Sequence, residues 1–202
     1  MSERELCFDL DGTLVFTNKA YIRDVLNRVF SEKGLQAPNE MFMSLFLTED
    51  RKDLVERELI RQESQIKPWE ILKPYNIRFQ EKFISETFAY EDAAETLARL
   101  PKVSIVTNLA LNLALEILNR TGLERYVPNR VLSNDGIRLS KGEVLKNYFG
   151  KRTNGNAYVG DLFSDLDAAR DANLQGILIT RTGEFRNPVD AREIRTLTEL
   201  LS

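Results

Sequence analysis

Asp9 and Asp11 flank a single leucine, and far along the chain Gly160-Asp161 is followed by Asp165. In an extended segment alternate residues point the same way, so Asp9 and Asp11 project towards one site while Leu10 turns away. Gly12 then permits a sharp departure, and the amides of the Gly12-Thr13 turn can face an anion. Taken alone, Asp9 to Gly12 reads equally as a polar strand end followed by an Asp-Gly turn, and Asp165 as an ordinary helix N-cap. Asp161, directly after a glycine at a strand tip, has no such simple structural reason. If Asp9, Asp11, Asp161 and Asp165 gather at one point, their repulsion calls for a neutralising cation.

Two further segments carry groups that suit a phosphoryl oxygen. Thr107 and Asn108 follow the apolar run Ser104-Ile105-Val106 and offer a hydroxyl and amides, although most threonines at such positions only bond nearby backbone. Lys141 stands at the start of a helix, where the backbone already favours anions. An isolated lysine is as often a solvated surface charge. The sequence has no histidine and one cysteine, Cys7. This excludes Ser–His triads, histidine-ligated zinc and a thiolate cage. If the protein is an enzyme, its acid, base and metal ligands should come mainly from carboxylates, which points to Mg²⁺, a hard cation that prefers oxygen.

The elements that must position these groups fall into two patterns. Glu5–Leu10 reads as a short buried strand. From Asn18 to about Phe88 the chain is helical, with segments near Lys19–Lys33, Pro38–Leu47, Glu49–Ser64 and Pro68–Phe88 and a kink or break at Pro74. After Tyr90, strand-like runs at Val103–Val106, Arg130–Leu132, Ala157–Val159 and Gly176–Ile179 alternate with helices near Ala110–Thr121, Gly142–Phe149 and Asp165–Ala172, and Ala191–Leu201 closes the chain as a helix. Asn173 stands where a left-handed cap is wanted. The reading is an α/β core, residues 1–17 and 90–202, whose parallel sheet is covered on both faces and interrupted by a helical insertion, residues 18–89.

The chain has 202 residues, of which 43% are hydrophobic and 29% charged, with a formal net charge of −3. Nucleic acid is a poor partner for such a surface, which lacks a concentrated basic patch. No membrane-spanning run and no signal peptide are read at the N-terminus, so the expectation is a cytoplasmic protein acting on a small molecule. Arg51, Lys52 and Arg57 form a basic stretch in the helical block; Arg51 is the candidate there for touching an anionic substrate, against the plain alternative of a solvated helix face.

In order, Asp9-Leu10-Asp11-Gly12-Thr13, then Thr107-Asn108, then Lys141, then Gly160-Asp161 with Asp165 resemble the four motifs of the haloacid dehalogenase superfamily. The resemblance implies a Rossmann-like three-layer core with strand order 3-2-1-4-5 and an α-helical cap of the C1 type inserted after the first motif. It further implies a Mg²⁺-dependent phosphatase that hydrolyses a small-molecule phosphate monoester through an aspartyl-phosphate. Asp9 would be the nucleophile and Asp11 the acid–base, with Thr107 and Lys141 supporting catalysis. Gly12, Thr13, Asn108 and Arg51 would bind substrate, and Asp9, Asp11, Asp161 and Asp165 would hold the metal. Asp11 favours the phosphatase and phosphomutase branches over the dehalogenases, so a phosphomutase of the β-phosphoglucomutase type is the alternative, followed by a non-catalytic binding protein. Gly142 departs from relatives with a proline after the motif lysine. Lys146 is the weaker candidate for the Lys141 role.

Overall fold

Three apolar residues in succession, with no polar face, belong inside a sheet covered on both sides, and Leu6-Cys7-Phe8 is such a run. In the computed structural model, which describes residues 4–46, 51–128, 130–133, 139–151, 155–181 and 191–202, it forms the fully buried strand β1 (Leu6–Phe8). There follow β2 (Val15–Thr17), the helices α1 (Lys19–Glu32), α2 (Glu40–Phe46), α3 (Arg51–Arg61) and α4 (Pro68–Lys82), then β3 (Thr87–Ala89) and α5 (Ala93–Arg99). The remaining elements are β4 (Val103–Thr107), α6 (Leu111–Thr121), β5 (Val131–Ser133), α7 (Lys141–Phe149), β6 (Ala157–Gly160), α8 (Phe163–Asp171), β7 (Gln175–Ile179) and β8 (Arg192–Ile194), with short 3-10 turns at Glu124–Tyr126 and Leu197–Leu201. The chain divides into two units, Met1–Phe16 with Thr87–Ser202, and Thr17–Glu86.

The first unit is an α/β fold built on a parallel sheet of order β5-β4-β1-β6-β7-β8. Numbered within the sheet, this is the expected 3-2-1-4-5 with a sixth strand added at the edge. Strand order reverses at β1, whose Cys7 lies opposite Ser104 of β4 on one side and Tyr158 of β6 on the other. Such a switch point leaves a crevice at the C-terminal ends of the strands, where open α/β sheets bind their ligands. One face of the sheet is sealed by a cluster that includes Cys7, Val106, Leu145, Phe149, Tyr158 and Ala169. β2 and β3 pair separately as a two-stranded sheet.

The second unit is helical. Ile22, Val25, Leu26, Val29 and Phe30 recur at the spacing of one helix face and are all buried in α1. They meet Phe42 and Phe46 of α2, Val55 and Leu59 of α3, and Ile71 and Tyr75 of α4. The rings form a continuous set, with Phe42–Phe46 centroids 5.7 Å apart and Phe46–Tyr75 5.1 Å.

Several elements differ from expectation, each for a local reason. Pro74 does not break α4. Its fixed φ suits a helix, so the loss is one backbone donor and crowding of the preceding turn, and the buried flanking residues Ile71 and Tyr75 hold the turn in place. The last helical segment stops at Lys82 rather than Phe88, because Thr87–Ala89 is strand β3. The expected closing helix at Ala191–Leu201 is replaced by β8, paired in parallel with β7, and by a 3-10 turn in which the Glu199 carboxylate accepts from the amides of Arg195 and Thr196. β1 ends at Phe8 because Leu10 already belongs to a turn, its carbonyl accepting from Leu14 and Val15. Asn173 does adopt the left-handed conformation, with φ 55°. The expected helix-end residues Leu47 and Glu49 lie outside the described residues. Among those described, no helix is long and apolar enough to cross a membrane.

Phe30 is fully buried at the centre of the helical cluster. Phe30→Ala is expected to destabilise the protein by about 3–5 kcal/mol, the range for truncating a buried aromatic. A urea titration followed by far-UV circular dichroism measures it; a loss below about 1 kcal/mol would contradict this packing.

Candidate active site

Asp9 follows β1 directly, and its amide donates to the Val159 carbonyl at 2.8 Å, extending the sheet ladder by one residue. Its side chain is thereby fixed at the sheet's C-terminal edge, only 6% exposed. The chain then turns sharply. Leu14 and Val15 donate to the Leu10 carbonyl at 2.9 and 3.0 Å, and the Gly12 amide donates to the Val15 carbonyl at 2.8 Å. Gly12 has φ 85°, the left-handed region, and a Cβ there would collide with the Asp161 carboxylate. Thr13 is buried and its hydroxyl donates to Asp161 Oδ1 at 3.5 Å. Asp11 is exposed at the mouth of this turn.

The other side of the site comes from β6 and the two helices beside it. β6 ends at Gly160, where the Asp165 carboxylate fills the space a side chain would take. Asp165 is 1% exposed; its Oδ2 accepts from the Leu162 amide at 3.0 Å and its Oδ1 from Lys141 Nζ at 2.6 Å. Lys141 is the first residue of α7, set there by a reciprocal cap: Glu143 Oε2 accepts from the Ser140 amide at 2.7 Å and Ser140 Oγ from the Glu143 amide at 3.2 Å. Gly142 next to it lets α7 press on α8, since a Cβ would stand only 3.0 Å from the Asp171 Cβ. The same Lys141 Nζ lies 3.1 Å from Asp9 Oδ1. Tyr158 supports it, with the ammonium 5.7 Å from the ring centroid and the phenol donating to the Val106 carbonyl at 3.0 Å.

Thr107 ends β4, buried, and its hydroxyl oxygen accepts from the Leu109 amide at 3.2 Å. In register it comes two residues beyond the Phe8–Ile105 pair, at the same sheet edge as Asp9. Asn108 is exposed beside it. Lys146 lies in the last turn of α7, whereas Lys141 is the lysine that reaches the carboxylates. Arg51 is in the helical unit, its guanidinium 5.0 Å from the Phe46 ring and 5.9 Å from the Tyr75 ring.

Electrostatics dominate this cluster. Asp9, Asp161 and Asp165 each place an oxygen within 4.8 Å of the others. Among the described residues, the ammonium of Lys141 is the cation in salt-bridge reach of two of these carboxylates, Asp9 and Asp165. Burial, opposed by Lys141 and reinforced by Asp165, raises the Asp9 pKa above the ordinary carboxylate range. Burial also lifts Asp161 well above it, with repulsion from Asp9, Asp165 and Asp11 added. Burial opposes the charge on Lys141, but Asp9 and Asp165 outweigh it and hold its pKa above the usual lysine value. An all-oxygen and under-compensated donor set, buried at Asp9 and Asp165 and partly so at Asp161, is what a hard divalent cation takes, so the residues fit a metal.

A second network escaped the sequence reading. Arg181, two residues past the end of an apolar strand, pairs with both oxygens of Asp92 at 2.8 and 2.7 Å, donates to the Thr13 carbonyl at 2.7 Å and lies 3.8 Å over the Tyr90 ring. The only available signal was its position: it follows β7 at the strand end, as Asp9 follows β1 and Asp161 follows β6. Tyr90 is half-buried near the site, and its phenol is pushed up to about 12 by burial, opposed by Arg181 and reinforced by Asp161, Asp11 and Asp92.

The family model described as haloacid dehalogenase-like hydrolase matches residues 6–179. Among solved structures, a haloacid dehalogenase-like hydrolase from Streptococcus pneumoniae superposes with a TM-score of 0.78 at 19% identity, covering 98% of this chain and 97% of that one. A predicted phosphoglycolate phosphatase from Haemophilus somnus gives 0.79 at 18% identity, with 98% and 96% covered. A haloacid dehalogenase family hydrolase from Deinococcus radiodurans, with bound phosphate and sodium, gives 0.71 at 22% identity, with 98% and 93% covered. At these identities the likeness is one of fold. A comparison of the sequence with curated proteins gave no match.

Removing the ammonium tests the electrostatic reading. Lys141→Met is expected to destabilise the protein by about 3–5 kcal/mol, the cost of leaving a buried charge without its partner. Chemical denaturation in the presence of a chelator measures this, and a variant as stable as the parent would contradict it.

Proposed function

Because the chain belongs to the haloacid dehalogenase-like hydrolases, we propose that it is a Mg²⁺-dependent phosphatase that hydrolyses a small phosphate monoester, carrying the phosphoryl group on Asp9. The observation that supports this reading is the convergence of Asp9, Asp161 and Asp165 on one point with Lys141 between two of them. Such an arrangement binds a cation and a tetrahedral anion side by side. It also leaves a carboxylate beside them as the nucleophile.

Asp9, Asp161, Asp165 and the Asp11 carbonyl would hold the metal, whose contribution when bound is to offset the repulsion between the carboxylate and the phosphate. A carboxylate oxygen of Asp9 attacks phosphorus in line with the ester oxygen; the new O–P bond forms as the P–O bond to the leaving group breaks. Asp11 gives its proton to the departing oxygen. It then takes a proton from water, which attacks the same phosphorus, releases inorganic phosphate and restores Asp9. The exposure of Asp11 suits this double role, since it must meet a leaving group and then solvent. Thr107 keeps its hydroxyl hydrogen for a phosphoryl oxygen while its own oxygen accepts from Leu109, and the Asn108 and Gly12-Thr13 amides are proposed to serve the remaining oxygens. Lys141 balances charge that the incoming phosphate adds. Arg51 is proposed to influence which ester is accepted, not the bond broken.

A screen of sugar phosphates, phosphoglycolate, nucleotides and phosphoamino acids with added Mg²⁺ is expected to find hydrolysis that excess EDTA abolishes. On the best substrate Asp9→Asn should lose turnover at saturating metal, by at least about 10³-fold for loss of the nucleophile. Arg51→Ala in the same screen should alter KM between substrates more than kcat. Undiminished hydrolysis in EDTA, or near-parental turnover by Asp9→Asn, would refute the reading.

A further inference from the structure

We infer that Arg181, held by Asp92, is a positioning residue for Asp11, an inference that rests on the phosphatase reading above. The segment from Leu10 to Val15 is closed on itself by the bonds Leu14 and Val15 make to the Leu10 carbonyl and by the Gly12 bond to the Val15 carbonyl. Asp11 and Val15 also form a bridge pair. A loop tied in this way moves as a body, so an anchor on one of its outer carbonyls sets the place of Asp11.

Two anchors reach it from the same neighbourhood. Arg181 donates one guanidinium nitrogen to the Thr13 carbonyl and presents the other to both oxygens of Asp92. The Tyr90 amide, two residues before Asp92, donates to the adjacent Leu14 carbonyl at 3.0 Å. Asp92 is itself fixed, its Oδ2 accepting from the Leu197 amide at 2.8 Å. The Tyr90 ring packs beneath the guanidinium at 3.8 Å. The pair is largely shielded, with side chains 16% and 15% exposed. A surface ion pair would contribute little order. This one connects four stretches of chain and ends on the loop between the nucleophile and the turn. A planar fork is needed for both contacts at once, and a lysine in its place can satisfy one.

The mere tying of loops and the positioning of an acid give different kinetics. For a single-intermediate reaction kcat/KM reports events up to release of the alcohol, and a good leaving group departs with little protonic help. Hydrolysis of the phosphoenzyme needs a base whichever ester formed it. The test compares the full-length parent with Arg181→Lys and Asp92→Asn, with Mg²⁺, on phenyl phosphate and para-nitrophenyl phosphate. For Arg181→Lys, kcat/KM on phenyl phosphate should fall about 10–100-fold, the scale of a small misplacement of a reacting group. On para-nitrophenyl phosphate kcat/KM should change by less than about threefold, while kcat and KM fall together because dephosphorylation has slowed. Asp92→Asn should shift both in the same direction.

Equal loss of kcat/KM on the two esters, or loss of kcat at constant KM, would mean fewer active molecules and would overturn the positioning role. So would unchanged kinetics in both variants. A parent inactive on these esters and on every phosphate ester of the screen above would instead refute the phosphatase reading, and the inference with it.

Discussion

Everything at this site follows from holding three carboxylates close together where little water screens their repulsion. Asp9 and Asp165 share one ammonium, that of Lys141, while Asp161 stands beside them with none within salt-bridge distance among the described residues. In a region of low dielectric such charges strengthen one another's effects, favourable or not. The protein meets the repulsion partly with Lys141; the remainder is what the proposed cation would offset. A site balanced without ligands would have less to gain from binding them.

The sheet makes this crowding possible. Neighbouring strands in a parallel sheet lie about 4.8 Å apart, so residues that leave β1 and β6 at the same edge, Asp9 and Asp161, are brought within reach of one another by backbone hydrogen bonding alone. The glycines do the fine placement. Gly12 and Gly160 each vacate the volume that an aspartate carboxylate occupies, and Gly142 lets α7 close on α8 so that Lys141 and Asp165 meet. The energy that holds these positions comes from the apolar face behind them, where Leu145, Phe149, Tyr158 and Ala169 are buried.

Much of this was legible in the sequence, for identifiable reasons. A run such as Leu6-Cys7-Phe8 before Asp9, or Ala157-Tyr158-Val159 before Gly160-Asp161, has one reading as a buried parallel strand with polar residues at its tip. The parallel α/β fold followed from those runs, and its strand order from the family resemblance alone. What escaped was governed by distant partners. β2 and β3 are three residues each and pair across an intervening stretch of about seventy residues in the chain, a span with no local signature. The chain end near Ala191 has helical composition, yet the free edge of β7 recruited Arg192–Ile194 as a strand, an instance of tertiary context overriding propensity. Arg181 and Asp92 drew no reading from the sequence because nothing local marks two residues 89 apart as a pair.

The proposed bond between Asp9 and the phosphoryl group is open to direct measurement. Mixing the Asp11→Asn variant rapidly with para-nitrophenyl phosphate and Mg²⁺, quenching in acid and mapping the peptides by mass measures that bond. The expected result is a burst of one nitrophenol per chain and a single phosphoryl group on the peptide that contains Asp9. A burst with no phosphoryl group retained, or one retained on another residue, would contradict it.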